Sequence, residues 1–255
     1  MILEKFNLEG RCGIVTGAGS GIGKGISRGL AEAGARVALA GQNLEKVDAA
    51  SREMNGDGLK TGPFRVDVSE EGSIADLVKS VVREFGRIDF LFNNAGTIYR
   101  SPFTDFPLEE WERVVKVNLT GPFILSREVA RHMIEKGISG SIVNTSSLIA
   151  VFGGVTVAAY AATKGGLTQL TRSMCNDLAK YGIRVNAIGP GWVKTDMTKA
   201  IREDPVRFKG ISDRIPLGRW ADPQDLAGLA VFLASDASSY ITGQVIFIDG
   251  GYTVM

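Results

Sequence analysis

The chain has 255 residues, 44% of them hydrophobic, enough to bury a full core and of a length at which α/β folds commonly form one domain. Its 29 basic and 28 acidic side chains leave a net charge of +1, with no cationic excess for a nucleic acid, and no apolar run reaches the roughly eighteen residues of a membrane span. Glu4 and Lys5 stand where a secretory signal needs apolar residues, and Cys12 and Cys175 lie far apart; a cytoplasmic protein with reduced thiols is expected, with neither nucleic acid nor membrane as partner.

Short apolar or β-branched runs alternate with longer amphipathic ones, the pattern of repeated βαβ units. The first predicted strand, Arg11–Thr16, runs into Thr16-Gly17-Ala18-Gly19-Ser20-Gly21-Ile22-Gly23 and a predicted helix over Gly21–Ala33. Glycines let a ligand approach the backbone, and the free N–H groups of a helix N-terminus suit a pyrophosphate. The loop is not a Walker A sequence, which would need glycine at Ala18 and a hydroxyl at Gly25, and no frame gives G-x-G-x-x-G. A second strand, Arg36–Ala40, ends on Gly41-Gln42-Asn43. A third, Thr61–Val66, is followed by Asp67 and Val68, and then by a helix over Glu70–Phe85 with Ser69 as its cap. The fourth, Ile88–Asn93, opens into Asn93-Asn94-Ala95-Gly96, so small and polar residues gather at the carboxyl edge, where an open α/β sheet binds a dinucleotide. His132, the one histidine, sits in a charge-rich helical stretch as a surface or half-buried residue; with two distant cysteines it cannot assemble a zinc site, and no metal is expected.

The fifth strand, Gly140–Thr145, leads to Ser146 and Ser147, whose hydroxyl can hold a substrate oxygen. Tyr160-Ala-Ala-Thr-Lys164 then sets a phenol and an ammonium four residues apart on one helix face. A free tyrosine titrates near 10, so action as a base at neutral pH requires a shift of about three units, roughly 4 kcal/mol in favour of the phenolate. A neighbouring lysine and an oxidised nicotinamide both push that way. After a sixth strand, Ile183–Ile188, a long polar excursion over 191–219, punctuated by Pro205 and Pro216, is placed as a lid over the ligand crevice. Asp222-Pro223 reads as N-cap and first residue of a helix to Ala234, and Val245–Ile248 is the seventh strand. The expected architecture is a single-domain, Rossmann-type, doubly wound parallel sheet of about seven strands with helices on both faces.

Together these segments resemble the classical short-chain dehydrogenase/reductase family over essentially the whole chain. Thr16 to Gly23 is similar to that family's cofactor loop and Asn93 to Gly96 to its NNAG motif. Asn118, Ser147, Tyr160 and Lys164 fall where its catalytic tetrad is expected, and Pro190-Gly191 with Thr195 is similar to the segment that contacts the nicotinamide carboxamide. The resemblance implies an alcohol/ketone oxidoreductase, with Tyr160 as general acid/base and Ser147 stabilising charge on the reacting oxygen. Lys164 would lower the Tyr160 pKa and bind the nicotinamide ribose, and Asn118 would help to hold a relay water. Cofactor contacts are expected from Thr16, Gly17, Gly19, Ser20, Gly21, Ile22, Gly23, Gln42, Asn43, Asp67, Val68, Asn94, Ala95, Gly96, Pro190, Gly191, Val193 and Thr195, beside Tyr160 and Lys164.

NAD-preferring relatives usually place Asp where Gly41 stands, and NADP-preferring ones often place Arg at Gln42 or a base at Ser20. With no cation for a 2′-phosphate, NAD is favoured without excluding NADP, and Gln42 or Asn43 would bond the ribose. A homotetramer is also implied, in keeping with the apolar Ile246-Phe247-Ile248 and Val254-Met255. In texture the chain is nearest to the family's sugar-acid members, acting on gluconate or 2-dehydro-3-deoxygluconate. That likeness lies in the first eleven residues, in Asp213-Arg214-Ile215-Pro216 with Gly218-Arg219-Trp220, and in Ile248-Asp249-Gly250-Gly251. The 3-oxoacyl-carrier-protein reductases share much of it and stay an alternative, as does a dinucleotide-binding regulatory protein without turnover. Substrate contacts are expected from Ser147, Trp192 and Arg100, whose fork of donors just beyond Gly96 matches a carboxylate. Lys194 and Arg214 are in reserve, and the competing reading has Arg100 solvated or paired with a nearby acid such as Asp105.

Overall fold

In the computed structural model, which describes residues 1–255, seven strands form one parallel sheet. They are β1 (Cys12–Thr16), β2 (Arg36–Gly41), β3 (Lys60–Arg65), β4 (Phe90–Asn93), β5 (Ser141–Thr145), β6 (Arg184–Pro190) and β7 (Val245–Ile248), in spatial order β3-β2-β1-β4-β5-β6-β7. The helices are α1 (Gly21–Glu32), α2 (Leu44–Gly56), α3 (Glu71–Phe85), α4 (Leu108–Val115), α5 (Gly121–Lys136), α6 (Ile149–Phe152), α7 (Ala158–Leu178), α8 (Lys199–Arg202), α9 (Pro205–Ser212) and α10 (Ala227–Ala234).

Strand periodicity sorts the core into two layers. Val15, Leu39, Phe92 and Val143 face Ile26 and Leu30 of α1, Met54 of α2 and Leu233 of α10. Their neighbours Ile14, Ala38, Leu91 and Ile142 face Leu77 and Val81 of α3 and Leu125 and Met133 of α5. The chain reverses strand order between β1 and β4, and the crevice at that switch point lies outside the carboxyl ends of the strands.

All seven predicted strands are present, with ends shifted by no more than two residues. Two differ in character from the fully apolar reading. Strand β3 alternates exposed and buried residues, and β7 is half-buried throughout, because both are edges of the sheet. Ser69 does not cap α3, whose N-cap is Glu70; its hydroxyl donates instead to Asp67 at 2.6 Å. Asp222 and Pro223 do begin a helical segment, but as a 3₁₀ turn over Pro223–Leu226 that precedes α10. Between α4 and α5 the helix widens into a π turn over Lys116–Thr120, a local change of register that recurs at functional sites.

Candidate active site

The glycine loop is braced from behind by the segment after β4. Thr16 Oγ1 accepts the amide N–H groups of Asn94 and Ala95, both at 3.0 Å, while Asn94 Nδ2 donates to the Thr16 carbonyl at 2.9 Å. Thr16 and Asn94 therefore fix the loop's shape through each other. Gly17 adopts φ +65°, and a Cβ on Gly23 would lie 2.2 Å from the Gly17 carbonyl oxygen, so only glycine lets α1 start this close to the turn. Ser20 occupies the N-cap of α1 without a side-chain capping bond, which leaves the first-turn N–H groups for an anion. A glycine cradle opening on uncapped amides fits a dinucleotide pyrophosphate.

At the far end of the loop, Gln42 Nε2 donates to Asp67 Oδ2 at 2.8 Å. Bonds from Ser69, outweighing partial burial, hold the Asp67 carboxyl below the usual range. Asn43 also has a structural part: its Oδ1 accepts the Lys46 N–H at 2.9 Å and caps α2, so that oxygen is already engaged. Val68 is buried, with its carbonyl oxygen 2.4 Å from where a Cβ on Gly121 would stand. Gly121 thus lets α5 pass against the end of the third βα connection.

Asn118, Ser147 and Lys164 are buried at the carboxyl edge of β5. A chain of buried polar groups holds that edge: Asn93 Nδ2 donates to Ser126 Oγ and Asn144 Oδ1, and Asn144 Nδ2 to Thr171 Oγ1, all within 2.9 Å. Breaking one such bond strands a buried polar group, at about 1–3 kcal/mol. Ser147 Oγ accepts the Ile149 N–H at 3.2 Å, which leaves its own proton to donate into the cleft. Lys164 Nζ donates to the Thr145 carbonyl at 2.6 Å and lies 5.4 Å from the centre of the Tyr160 ring. Burial lowers the Lys164 pKa to about 8. Burial also raises the Tyr160 phenol, against the opposing pull of the Ser147 hydroxyl and the Arg100 charge. The expected lowering of Tyr160 by Lys164 is thus not a property of the chain alone, where desolvation of the phenolate outweighs nearby donors.

The side chain of Asn118, inside the π turn, is fully engaged: Oδ1 accepts the Thr97 N–H and Nδ2 donates to the Thr97 carbonyl, both at 2.8 Å. This doubly bonded amide pins the segment that carries Arg100. A sequence reading had no means to find Thr97, because its part is played by backbone atoms.

Ser147 and Tyr160 open into a cleft of about 520 Å³, also lined by Ile22, Arg100, Pro190, Gly191, Trp192, Val193 and Thr195. Lys194 is absent from its walls and pairs with Asp222 at 3.1 Å. Arg214 does line it, as does Arg207, which sequence reading passed over. The available signal was Asp204-Pro205, a cap and first-position pair that opens a helix and puts Arg207 in its first turn. Arg100 forms no ion pair with Asp105 or any other acid. The Trp192 indole N–H is buried without a partner.

Known proteins match the chain over nearly its whole length. The family described as enoyl-(acyl carrier protein) reductase matches residues 17–253. The chain is 45% identical to 2-dehydro-3-deoxy-D-gluconate 5-dehydrogenase of Pseudoalteromonas atlantica, over 98% of this chain and 99% of that one. It is 39% identical to 5-keto-D-gluconate 5-reductase of Escherichia coli K12, covering 98% of both. Among solved structures, a gluconate 5-dehydrogenase from Burkholderia cenocepacia J2315 in complex with NADP and tartrate superposes with a TM-score of 0.96 at 39% identity, over 100% of both chains. The chain is an enzyme of the dinucleotide-binding, oxidoreductase kind, and it belongs to the short-chain dehydrogenase/reductase family.

Proposed function

We propose that the protein interconverts a secondary alcohol and a ketone on a sugar acid of the gluconate or 2-dehydro-3-deoxygluconate type. The observation that carries this reading is Arg100, a cation without an acidic partner on a cleft that also holds Ser147 and Tyr160. The names of the relatives point to the same substrates.

A bound nicotinamide supplies or accepts the hydride, and the chain's own residues manage position and protons. Tyr160 gives a proton to the reacting oxygen or takes it away. Ser147 donates a hydrogen bond to that oxygen as charge develops on it. Lys164, held by the Thr145 carbonyl, brings a positive charge beside the phenol and would bind the cofactor ribose. The Asn118 side chain bonds both backbone groups of Thr97, and Asn118 would help to hold a relay water beside that segment. The whole chain acts as one domain, with the 191–219 excursion as its lid.

For the cofactor we keep NAD as the first reading: Gln42 is neutral and tied to Asp67, and Asn43 is a cap. NADP is the second, favoured by its presence in the Burkholderia cenocepacia structure and by Lys46, whose Cβ lies 3.0 Å from where a Cβ on Gly19 would stand and which forms no ion pair. Binding constants for NADH and NADPH separate the two, and a tenfold tighter NADPH overturns the first. A homotetramer in a reducing, cytoplasmic compartment completes the proposal. Half-buried β7, exposed Val254 and Met255, and two free thiols support it.

Arg100→Ala is the test of the substrate class. It should raise KM for a keto or hydroxy sugar acid about tenfold while changing an uncharged analogue much less. Equal losses on both would remove the carboxylate role, and a clear preference for acyl thioesters would move the protein to the carrier-protein reductases.

A further inference from the structure

Arg100, Arg207 and Arg214 line the cleft, and no aspartate or glutamate does. Like charges gathered without a counterion oppose one another, and Arg100 feels this: burial first, and then the Arg207 charge, lower its pKa. Arg207 is also at odds with its own helix. Asp204 caps α9 by accepting the N–H groups of Val206 and Arg207, at 3.0 and 3.1 Å, so the cation stands in the first turn, at the positive end of the helix dipole. No ion pair offsets that placement. Arg214 is in a different situation, since its guanidinium lies 4.4 Å over the Tyr252 ring and is held there. Arg207 is thus an unpaired cation on the rim of a cleft that holds no acid, which leaves it available to an anionic ligand.

Resting on the sugar-acid reading, we propose that Arg207 is the lid-borne half of a carboxylate clamp whose other half is Arg100, and that an anion between them draws α9 down over the cleft. The two guanidiniums come from separate elements, the segment pinned by Asn118 and the excursion after β6. Without an anion the two charges oppose one another; a carboxylate would cancel that repulsion and bond to both forks. A sugar of the same length without the carboxylate leaves the repulsion in place. Substrate charge is then read by closure as well as by contact.

The test compares Arg207→Gln and Arg207→Lys with wild type on a keto sugar acid, on the matching uncharged ketose and on a sugar phosphate, with tartrate binding to the enzyme–cofactor complex measured by calorimetry. For Arg207→Gln, KM for the sugar acid should rise about tenfold with kcat within about threefold, and tartrate affinity should fall by a similar factor. KM for the uncharged ketose should stay level or drop, since one repelling charge is gone, and Arg207→Lys should recover part of the loss on the acid. Equal KM changes on acid and ketose, or unchanged tartrate affinity, overturn the clamp; so does better use of the sugar phosphate than of the acid by wild type. If wild type uses the sugar acid and only Arg100→Ala discriminates, the clamp fails and the substrate reading stands. If wild type turns over no sugar acid, the substrate reading itself has failed.

Discussion

Ser147, Lys164 and Asn118 are almost wholly buried, at the ends of core strands or within helices packed on both neighbours. Arg207 and Arg214 ride on an excursion whose helices α8 and α9 have four and eight residues. It is fastened by a small cluster of Leu148, Ile201, Ile215, Trp220 and Tyr252, by a stacked Phe208–Trp220 pair, and by a bond from the Leu217 N–H to the Gly250 carbonyl. Burial fixes the geometry of the floor and lowers the Lys164 pKa, while it raises that of Tyr160. On the proposed reading the excursion would contribute discrimination through the exposed charges of Arg207 and Arg214. Damage to the floor should therefore appear in turnover, and damage to the excursion in KM.

The largest effect expected is that of Tyr160→Phe, which should lower turnover by about 10²–10⁴ while leaving cofactor affinity within about twofold, since the glycine loop is untouched. Near-normal turnover in that variant removes Tyr160 from its role, and loss of both properties indicates misfolding.

Lys164→Met should lower turnover by about 10² and yet leave the fold as stable as wild type or more so at pH 7. The folded-state pKa of about 8 lies below the free value of 10.5, so burying the charged lysine costs about 3 kcal/mol below pH 8. That cost is relieved as pH rises from 8 to 10.5, and wild type should gain on the variant across that window in thermal melts. In ketone reduction, which uses the charged lysine, wild-type kcat/KM should fall above pH 8. A profile flat to pH 10 would detach Lys164 from proton transfer. The smallest effect belongs to the excursion: Phe208→Ala, which unstacks Trp220, should raise KM a few-fold with kcat nearly unchanged. A larger loss in kcat than in KM would show that the excursion also shapes the floor.

The floor was legible in the sequence because its residues answer to local rules. A strand end, a glycine turn and a four-residue helix spacing each have a fixed geometry, so β1, β5, the start of α1 and the helix of Tyr160 fall where spacing predicts, and Ile22, Ser147 and Tyr160 line one cleft. What stayed hidden depends on contacts between segments distant in the chain. The Asn118–Thr97 pairing joins side chain to backbone across 21 positions. The capping of α2 by Asn43 Oδ1 likewise depends on where that helix begins. Arg207 was hidden because its meaning lies in the acids it does not meet, and only the assembled cleft shows that.

The central claim is that this floor moves hydride between a nicotinamide and a carbon of a sugar acid. Reduced cofactor deuterated at the transferable position, incubated with enzyme and a keto sugar acid, tests it directly by NMR of the product. The account predicts deuterium on the new carbinol carbon, formed faster than with the matching uncharged ketose and nearly abolished in Tyr160→Phe. Product without cofactor deuterium, or transfer confined to acyl thioesters, would contradict it.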